Sequence, residues 1–443
     1  MAIRVSTGWT CSIDGSDVNP SPAARPDKLL KPERAYVLLV LVTVYTFNFI
    51  DRQIVGILAV PIKADLGLSD TQLGMMGGLA FALFYTGLGI PVAMLADRYS
   101  RTWIMTAALA LWSAMTAACG LAQSFWQLFA ARLGVGVGEA GGVAPAYSLI
   151  SDYFPPHQRA RALSIYSFGI PIGSALGIVL GGVIASLVDW RVAFFAVGIT
   201  GILLAPVFRL TVREPPRGRF DTARGQAKPV SFPSLLRTLR TKRSFWFISL
   251  GAACSSMMGY GMFFWLPSFL VRSYGLSLLH ASFFYGAIML VGGIAGIWAG
   301  GWLGDRFGQQ RRARFVTIPA FAFLATVPFY LLGILSPTPV LAFFVLLAPT
   351  ALGLAWLGPV ISAVQHLVQP QMRATASAVF LFINNLVGIG LGTWAIGALS
   401  DALASRYGEE SLRYSILAGT VCYIAAAVLF LVASRWLDRD WEA

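Results

Sequence analysis

Apolar residues in this chain come in long unbroken stretches rather than in alternation. Twelve of these stretches reach the roughly 20 residues that a helix needs to cross about 30 Å of hydrocarbon. They lie near 36–60, 72–96, 103–122, 125–150, 162–187 and 191–210, and again near 244–270, 280–303, 315–335, 338–365, 376–400 and 412–435. The strands of an outer-membrane barrel would alternate apolar and polar positions over about 10 residues. The pattern therefore predicts an all-α polytopic membrane protein with twelve transmembrane helices.

Composition narrows the class further. The chain is 57% hydrophobic and 12% charged, against about 25% charged in an average soluble domain. That supply cannot coat a water-soluble body of 443 residues, so an ordinary soluble enzyme is excluded, and so is disorder. Residues 1–34 form a polar tail with no apolar core of the kind a signal peptide carries, so span one itself is expected to direct insertion. A six-span bundle over 35–210, a basic linker over 211–243, a second six-span bundle over 244–436 and a short tail over 437–443 complete the expected organisation.

The net charge of +13 reports topology. With both termini placed in the cytoplasm, 26 of the 33 Lys and Arg fall on the internal side, five on the external side and two within spans. The 20 acids divide into 12 internal, six external and two within spans. This matches the positive-inside rule. It predicts contact with anionic lipid rather than nucleic acid, because the bases are scattered over short loops. Within the linker, Leu235, Leu236 and Leu239 stand beside Arg237, Arg240, Lys242 and Arg243, which suggests a short interfacial helix over Phe232 to Trp246. A plain topological linker is the alternative. Cys11, Cys119, Cys254 and Cys422 have no paired spacing, and His157, His280 and His366 are dispersed, so neither disulfides nor a metal site is expected.

The two halves repeat one another. Asp97-Arg98-Tyr99-Ser100-Arg101 after span two corresponds to Asp305-Arg306-Phe307-Gly308 after span eight, and Asp152 to Ala162 corresponds to His366 to Ala376. Ala93-x3-Asp97-Arg98-x-Ser100-Arg101 and Gly301-x3-Asp305-Arg306-x-Gly308 resemble the loop signature G-x3-D-R-x-G-R of the major facilitator superfamily, with departures at Ala93, Ser100 and Gln309. The resemblance covers about 36–435 and implies two six-helix halves rocking about a central site. It also implies that Asp97, Arg98, Arg101, Asp305 and Arg306 form a cytoplasmic gate; Asp97 and Asp305 are expected at helix ends, near a helix N-terminus. Within the superfamily, Asn48-Phe-Ile-Asp51-Arg52 and Arg132-Leu-Gly-Val-Gly-Val-Gly-Glu139 resemble the spinster group, which implies lysolipid or sphingolipid transport with proton coupling.

Four ionisable residues stand inside spans: Asp51, Arg52, Arg132 and Glu139. Each costs at least about 2.5–3.5 kcal/mol in hydrocarbon. Helix one is expected to end near Pro61, which puts Asp51 about 15 Å from the external face, between the levels of Arg132 and Glu139. A static ion-pair network is one reading. In the other, separation from an arginine and loss of water let a carboxylate take up a proton as conformation changes. Asp51 is then the first candidate and Glu139 the second, with Arg52 and Arg132 tuning them or holding an anionic headgroup. The C-terminal half offers no charged counterpart. Asn48, Met257, Tyr260, Trp265, Trp356 and Asn384 are the remaining cavity candidates. A charged wall facing an apolar, adaptable one suits an amphiphile.

These readings predict a monomeric secondary transporter, not an enzyme. Its partners would be a lipid-like small molecule, protons and membrane lipids, without a cofactor, in the inner membrane if the source is bacterial. A transporter of another organic anion or drug is the alternative. A membrane lipid enzyme or a receptor is remote, since no nucleophile–base pair or metal set is present and neither needs the two-fold repeat.

Overall fold

The computed structural model describes residues 32–220, 232–303, 306, 311–369 and 372–442. Cys11 and most of the expected N-terminal tail, Asp221, Asp305 and Pro370 lie outside the described residues. Those described form helices and no strands. The passes are α1 (Pro32–Leu66), α2 (Asp70–Arg98), α3 (Arg101–Cys119), α4 (Phe125–Glu139 and Val143–Tyr153), α5 (Pro156–Ser167 and Gly169–Leu187) and α6 (Trp190–Thr211). After a separate linker helix (Phe232–Thr241) come α7 (Arg243–Tyr274), α8 (Leu278–Leu303), α9 (Arg314–Ile334), α10 (Pro339–Leu354 and Leu357–His366), α11 (Arg373–Tyr407) and α12 (Ser411–Gly419 and Val421–Asp440).

Ten helical stretches, some of them bent, are long and apolar enough to cross a membrane. The last, Thr375–Asp440, turns back at Gly408–Glu410 and so holds two passes. Phe125–Tyr153 supplies the other, divided by its break at Ala140–Gly142. Pro61 does not end α1, contrary to expectation; the helix continues to Leu66. Pro61 costs the helix one backbone bond, the one its amide would have given to the carbonyl of Ile57, and the turn beyond it keeps its own amide donors. The expected interfacial helix stops at Thr241, and Arg243 already belongs to α7.

Packing follows the six-plus-six repeat. Helix α1 lies on α5, α3 on α6 and α4, α7 on α11 and α12, and α9 on α10 and α12. The halves meet where α5 crosses α8, α2 crosses α11 and α1 meets α7. Both ends of the described chain gather on one side of the bundle. Arg34 sits over Phe220, while Lys242 donates to the carbonyl of Asp440 and to Glu442. We call this the linker side and the opposite face the far side.

The seam between halves is tight toward the far side. In α2 a single π-turn, Met75–Leu79, lies against α11. A Cβ on Gly74 would sit 2.5 Å from the carbonyl oxygen of Thr393, and one on Gly56 in α1 would sit 3.2 Å from Phe264 backbone. Only glycine permits backbones to approach so closely. Toward the linker side of α2, the space beside Gly87 and Gly89 is open.

Candidate functional site

Helices α1 and α4 assemble the four intramembrane charges. Helix α4 can lie close to its neighbours because of its glycines: a Cβ on Gly136 would meet the carbonyl of Phe81 at 2.6 Å, and one on Gly138 the amide of Trp112 at 2.6 Å. The glycines spanning Gly134–Gly142 therefore serve packing, and that packing turns Arg132 and Glu139 inward. Asp51, Arg132 and Glu139 are all at most 1% exposed. Arg52 Nε donates to Glu139 Oε2 at 2.7 Å, the one ion pair among the four.

Aromatic rings complete the setting of the two arginines. The Arg52 guanidinium carbon lies 5.0, 4.8 and 4.5 Å from the ring centroids of Phe49, Phe81 and Tyr85. Arg132 approaches Phe81 at 5.8 Å. Phe81 therefore contacts both cations, and its π-face offers each a share of the desolvation cost, about 0.5–2 kcal/mol per contact. Several buried polar atoms nonetheless make no hydrogen bond within the protein: both side-chain atoms of Asn48, Asp51 Oδ1, Arg52 Nη2, Arg132 Nε and Nη1, and Glu139 Oε1. Each such atom costs about 1–3 kcal/mol, so a cluster of them fits a region that receives water, protons or a polar ligand.

A cavity of about 40 Å³ opens beside this cluster, between the halves. Arg52, Arg132, Gln53 and Phe81 line it from one half, and Tyr260, Phe263, Phe264 and Thr393 from the other. A buried water needs about 10–15 Å³ of such space, so the cavity admits a few waters and no more. Of the six residues expected to line a cavity, only Tyr260 does so here. Asn48 is buried beside the charges, and Met257 is half-buried. Trp265 is fully buried inside the C-terminal half, its Nε1 donating to the carbonyl of Thr393 at 2.8 Å. Trp356 packs edge-on to Phe380, and Asn384 Oδ1 accepts from Ser256 Oγ at 2.8 Å. A buried indole or amide needs an internal partner, and sequence spacing does not reveal which one it finds.

The expected gate divides in the structure. Asp97 and Arg98 are exposed at the C-terminal end of α2, and Arg306 lies over Trp302 at 5.5 Å. Arg101 instead is 1% exposed and deeply engaged. It bonds Asp152, donates from Nε to Glu214 Oε1 at 2.7 Å and from Nη2 to the carbonyl of Pro215 at 3.0 Å. The helix-end role expected of Asp97 belongs to Glu214. Its Oε2 accepts from the Thr102 amide at 2.9 Å and from Ser100 Oγ at 3.0 Å, at the N-terminus of α3. The reason is positional: Asp97 terminates α2 and points to solvent, whereas the linker folds Glu214 back onto the free amides of α3. Partial burial works against the Glu214 carboxylate, but the Thr102 amide and the Arg101 guanidinium outweigh it and hold its proton affinity below the usual glutamate range.

A second polar hub, at the far side, was not anticipated from sequence. Asp70 is 2% exposed. Arg272 grips it with two bonds of 2.7 Å, Lys63 reaches Oδ1 at 2.6 Å, and Ser400 Oγ reaches Oδ2 at 2.7 Å. Asp401 in turn accepts from the amides of Asp70 and Thr71, at 3.1 and 2.7 Å, and from Thr71 Oγ1 at 2.6 Å. Arg272, Ser400 and Asp401 belong to the C-terminal half, so this hub ties one half to the other. One signal in the sequence marked its location: Ser69-Asp-Thr-Gln72 is a capping box, realised here by reciprocal bonds of 3.2 and 3.0 Å.

Comparison with known proteins agrees with this architecture. Residues 41–393 match the family model of the Major Facilitator Superfamily. An "MFS-type efflux pump" of Mycolicibacterium smegmatis is 34% identical over 92% of this chain and 95% of its own. "Protein spinster homolog 3" of Danio rerio is 28% identical over 98% of this chain and 91% of its own. Among solved structures, a bacterial homolog of the human lysosomal transporter spinster, in an inward-facing and unoccupied conformation, superposes with a TM-score of 0.85 at 34% identity, covering 93% of this chain and 99% of that one. The chain thus belongs to the major facilitator superfamily, as a spinster-like transporter.

Proposed function

We propose that this transporter moves an amphiphilic, lipid-like substrate, a lysophospholipid or a phosphorylated sphingoid base, by alternating access coupled to protons. The observation that carries the reading is the asymmetry of the central cavity. One wall presents Arg52 and Arg132 with Asp51 and Glu139 behind them; the other presents Tyr260, Phe263 and Phe264. An anionic headgroup would meet the guanidinium groups, and a chain would follow the aromatic wall. In the present conformation the cavity is too small for either. Admission requires the halves to part further, and the open space beside Gly87 and Gly89 supports an entry on the linker side. The Lys and Arg excess supports a cytoplasmic linker side.

Asp51 is the proton carrier in this reading. Arg52 is already committed to Glu139, whereas Asp51 Oδ1 has no internal hydrogen-bond partner. The loss or return of water around this buried carboxylate, and its distance from a guanidinium, would let proton uptake follow conformation. In proteoliposomes, Asp51→Asn should abolish the dependence of flux on a pH gradient while leaving the protein folded. Wild-type coupling in that variant would remove Asp51 from the role. Thermal-shift binding should favour long-chain lysophospholipids over sugars and short organic anions.

A second reading is export of a drug-like organic ion. It is favoured by the similarity to a relative named as an efflux pump. Stabilisation by organic cations or anions without a long chain, equal to that by lysophospholipid, would select it.

A further inference from the structure

The linker helix has an anchored side and a free side. Leu235 and Leu239 are 2% and 0% exposed, and Trp246 Nε1 donates to the carbonyl of Leu239 at 3.0 Å, fixing the helix to the start of α7. On the other side Leu236 and Trp246 are each 37% exposed, beside the exposed Arg237, Arg240 and Arg243. The end of α12 adds to this surface. Arg243 and Arg439 both lie over the ring of Trp436, at 4.5 and 5.5 Å.

Nearby acids are occupied elsewhere. The carboxylate of Asp440 accepts from the amide and hydroxyl of Ser244, at 2.8 and 2.6 Å, and Glu442 takes Lys242 at 2.7 Å. Asp438 is exposed on the same last turn of α12, but among the described residues no carboxylate pairs with Arg237, Arg240, Arg243 or Arg439. Four guanidinium groups therefore stand unneutralised where α7 and α12 enter the membrane, with tryptophan and leucine side chains at the same level. Guanidinium matches phosphate oxygens two at a time, and tryptophan prefers the headgroup region.

We infer that the linker helix and the end of α12 form a binding surface for anionic phospholipid headgroups of the leaflet on the linker side. The lipid phosphate meets Arg237, Arg240 and Arg243, its glycerol backbone lies along Leu236 and Trp246, and the site is independent of the transported substrate.

The test uses the full chain in micelles holding equal amounts of phosphatidylglycerol and phosphatidylcholine, with bound lipid counted by native mass spectrometry. Wild-type protein should retain phosphatidylglycerol in preference to phosphatidylcholine. The triple variant Arg237→Gln, Arg240→Gln, Arg243→Gln should lose that preference, by roughly fivefold per arginine removed. A control triple beside the N-terminal half, Arg34→Gln, Arg213→Gln, Arg219→Gln, removes equal charge and should retain it. Unchanged retention in the first triple, or equal loss in the control, overturns the proposal. So does displacement of the lipid by inorganic phosphate, which would mark a site for the free ion. For wild-type protein alone, rising salt should release phosphatidylglycerol and spare phosphatidylcholine; release of both alike also overturns the proposal.

Discussion

Arg101 and Arg272 sit at opposite ends of the same molecule, and both grip a buried aspartate. The difference lies in whose aspartate it is. Arg101 bonds Asp152, Glu214 and Pro215, all within the N-terminal half and its linker. Arg272 bonds Asp70 across the seam. A network confined to one half can persist through every conformation and contributes rigidity. A network spanning both halves has to break whenever the far side opens. Similar chemistry therefore serves two purposes, and the partner's position in the fold decides which.

Breaking the internal network should have the largest effect. Removing one partner from a buried pair costs about 3–5 kcal/mol, so Arg101→Met should lower the thermal unfolding midpoint strongly, with Asp152→Asn showing a comparable loss. If the variants unfold at the wild-type temperature, the network is not structural. The seam hub should respond differently. Asp70→Asn and Arg272→Gln should cost less stability, because parting of the halves returns the surviving partner to water, and should open the far side. A cysteine placed by Ser268→Cys, one turn before Arg272 and fully buried, should then react with a membrane-impermeant thiol reagent about tenfold faster or more, equivalent to about 1.4 kcal/mol in the closing equilibrium. Unchanged labelling would mean that the hub does not hold the far side shut. The smallest effect is on pH. Because the folded state holds the Glu214 carboxyl below the usual glutamate range, its contribution to stability is complete above the unfolded value of about 4.3 and fades as pH falls through the folded value. The thermal midpoint of wild type should decline there, and the gap to Glu214→Gln should narrow. A constant gap would assign the effect to another group.

What the chain disclosed of its fold follows from hydrocarbon thickness. Spans announce themselves by apolar length, and the ionisable residues Asp51, Arg52, Arg132 and Glu139 stand out because nothing nearby in sequence explains their cost. The breaks at Ala140–Gly142 and after Leu354 are less legible, since a run of apolar residues looks the same bent or straight. The far-side hub was illegible for another reason. Asp70 and Arg272 are 202 positions apart, and Asp70 and Asp401 are 331 apart. Each lies just beyond the end of an expected span, where a charge excites no suspicion. Glu214 was hidden in the same way among the charges of the linker. Trp265 misled because an aromatic residue in a span can face lipid, cavity or core, and only its Nε1 partner decides.

One further consequence comes from the glycines of α5. Every fourth residue of that helix from Gly169 is bare where α1 passes: a Cβ on Gly169 would meet Tyr45 at 3.0 Å, and one on Gly177 the carbonyl of Ile50 at 2.7 Å. The two helices are thus keyed together, tooth in notch, along the stretch that carries Asn48, Asp51 and Arg52. Helix α5 also bears on α8 of the other half. It acts as a connecting rod: a swing at the seam arrives at the charges as a displacement of α1 as a whole, with little play. An engineer wishing to stop the machine need not touch a single charged residue. One methyl group at Gly177, wedged against the backbone of Ile50, would force the two helices apart and loosen that linkage.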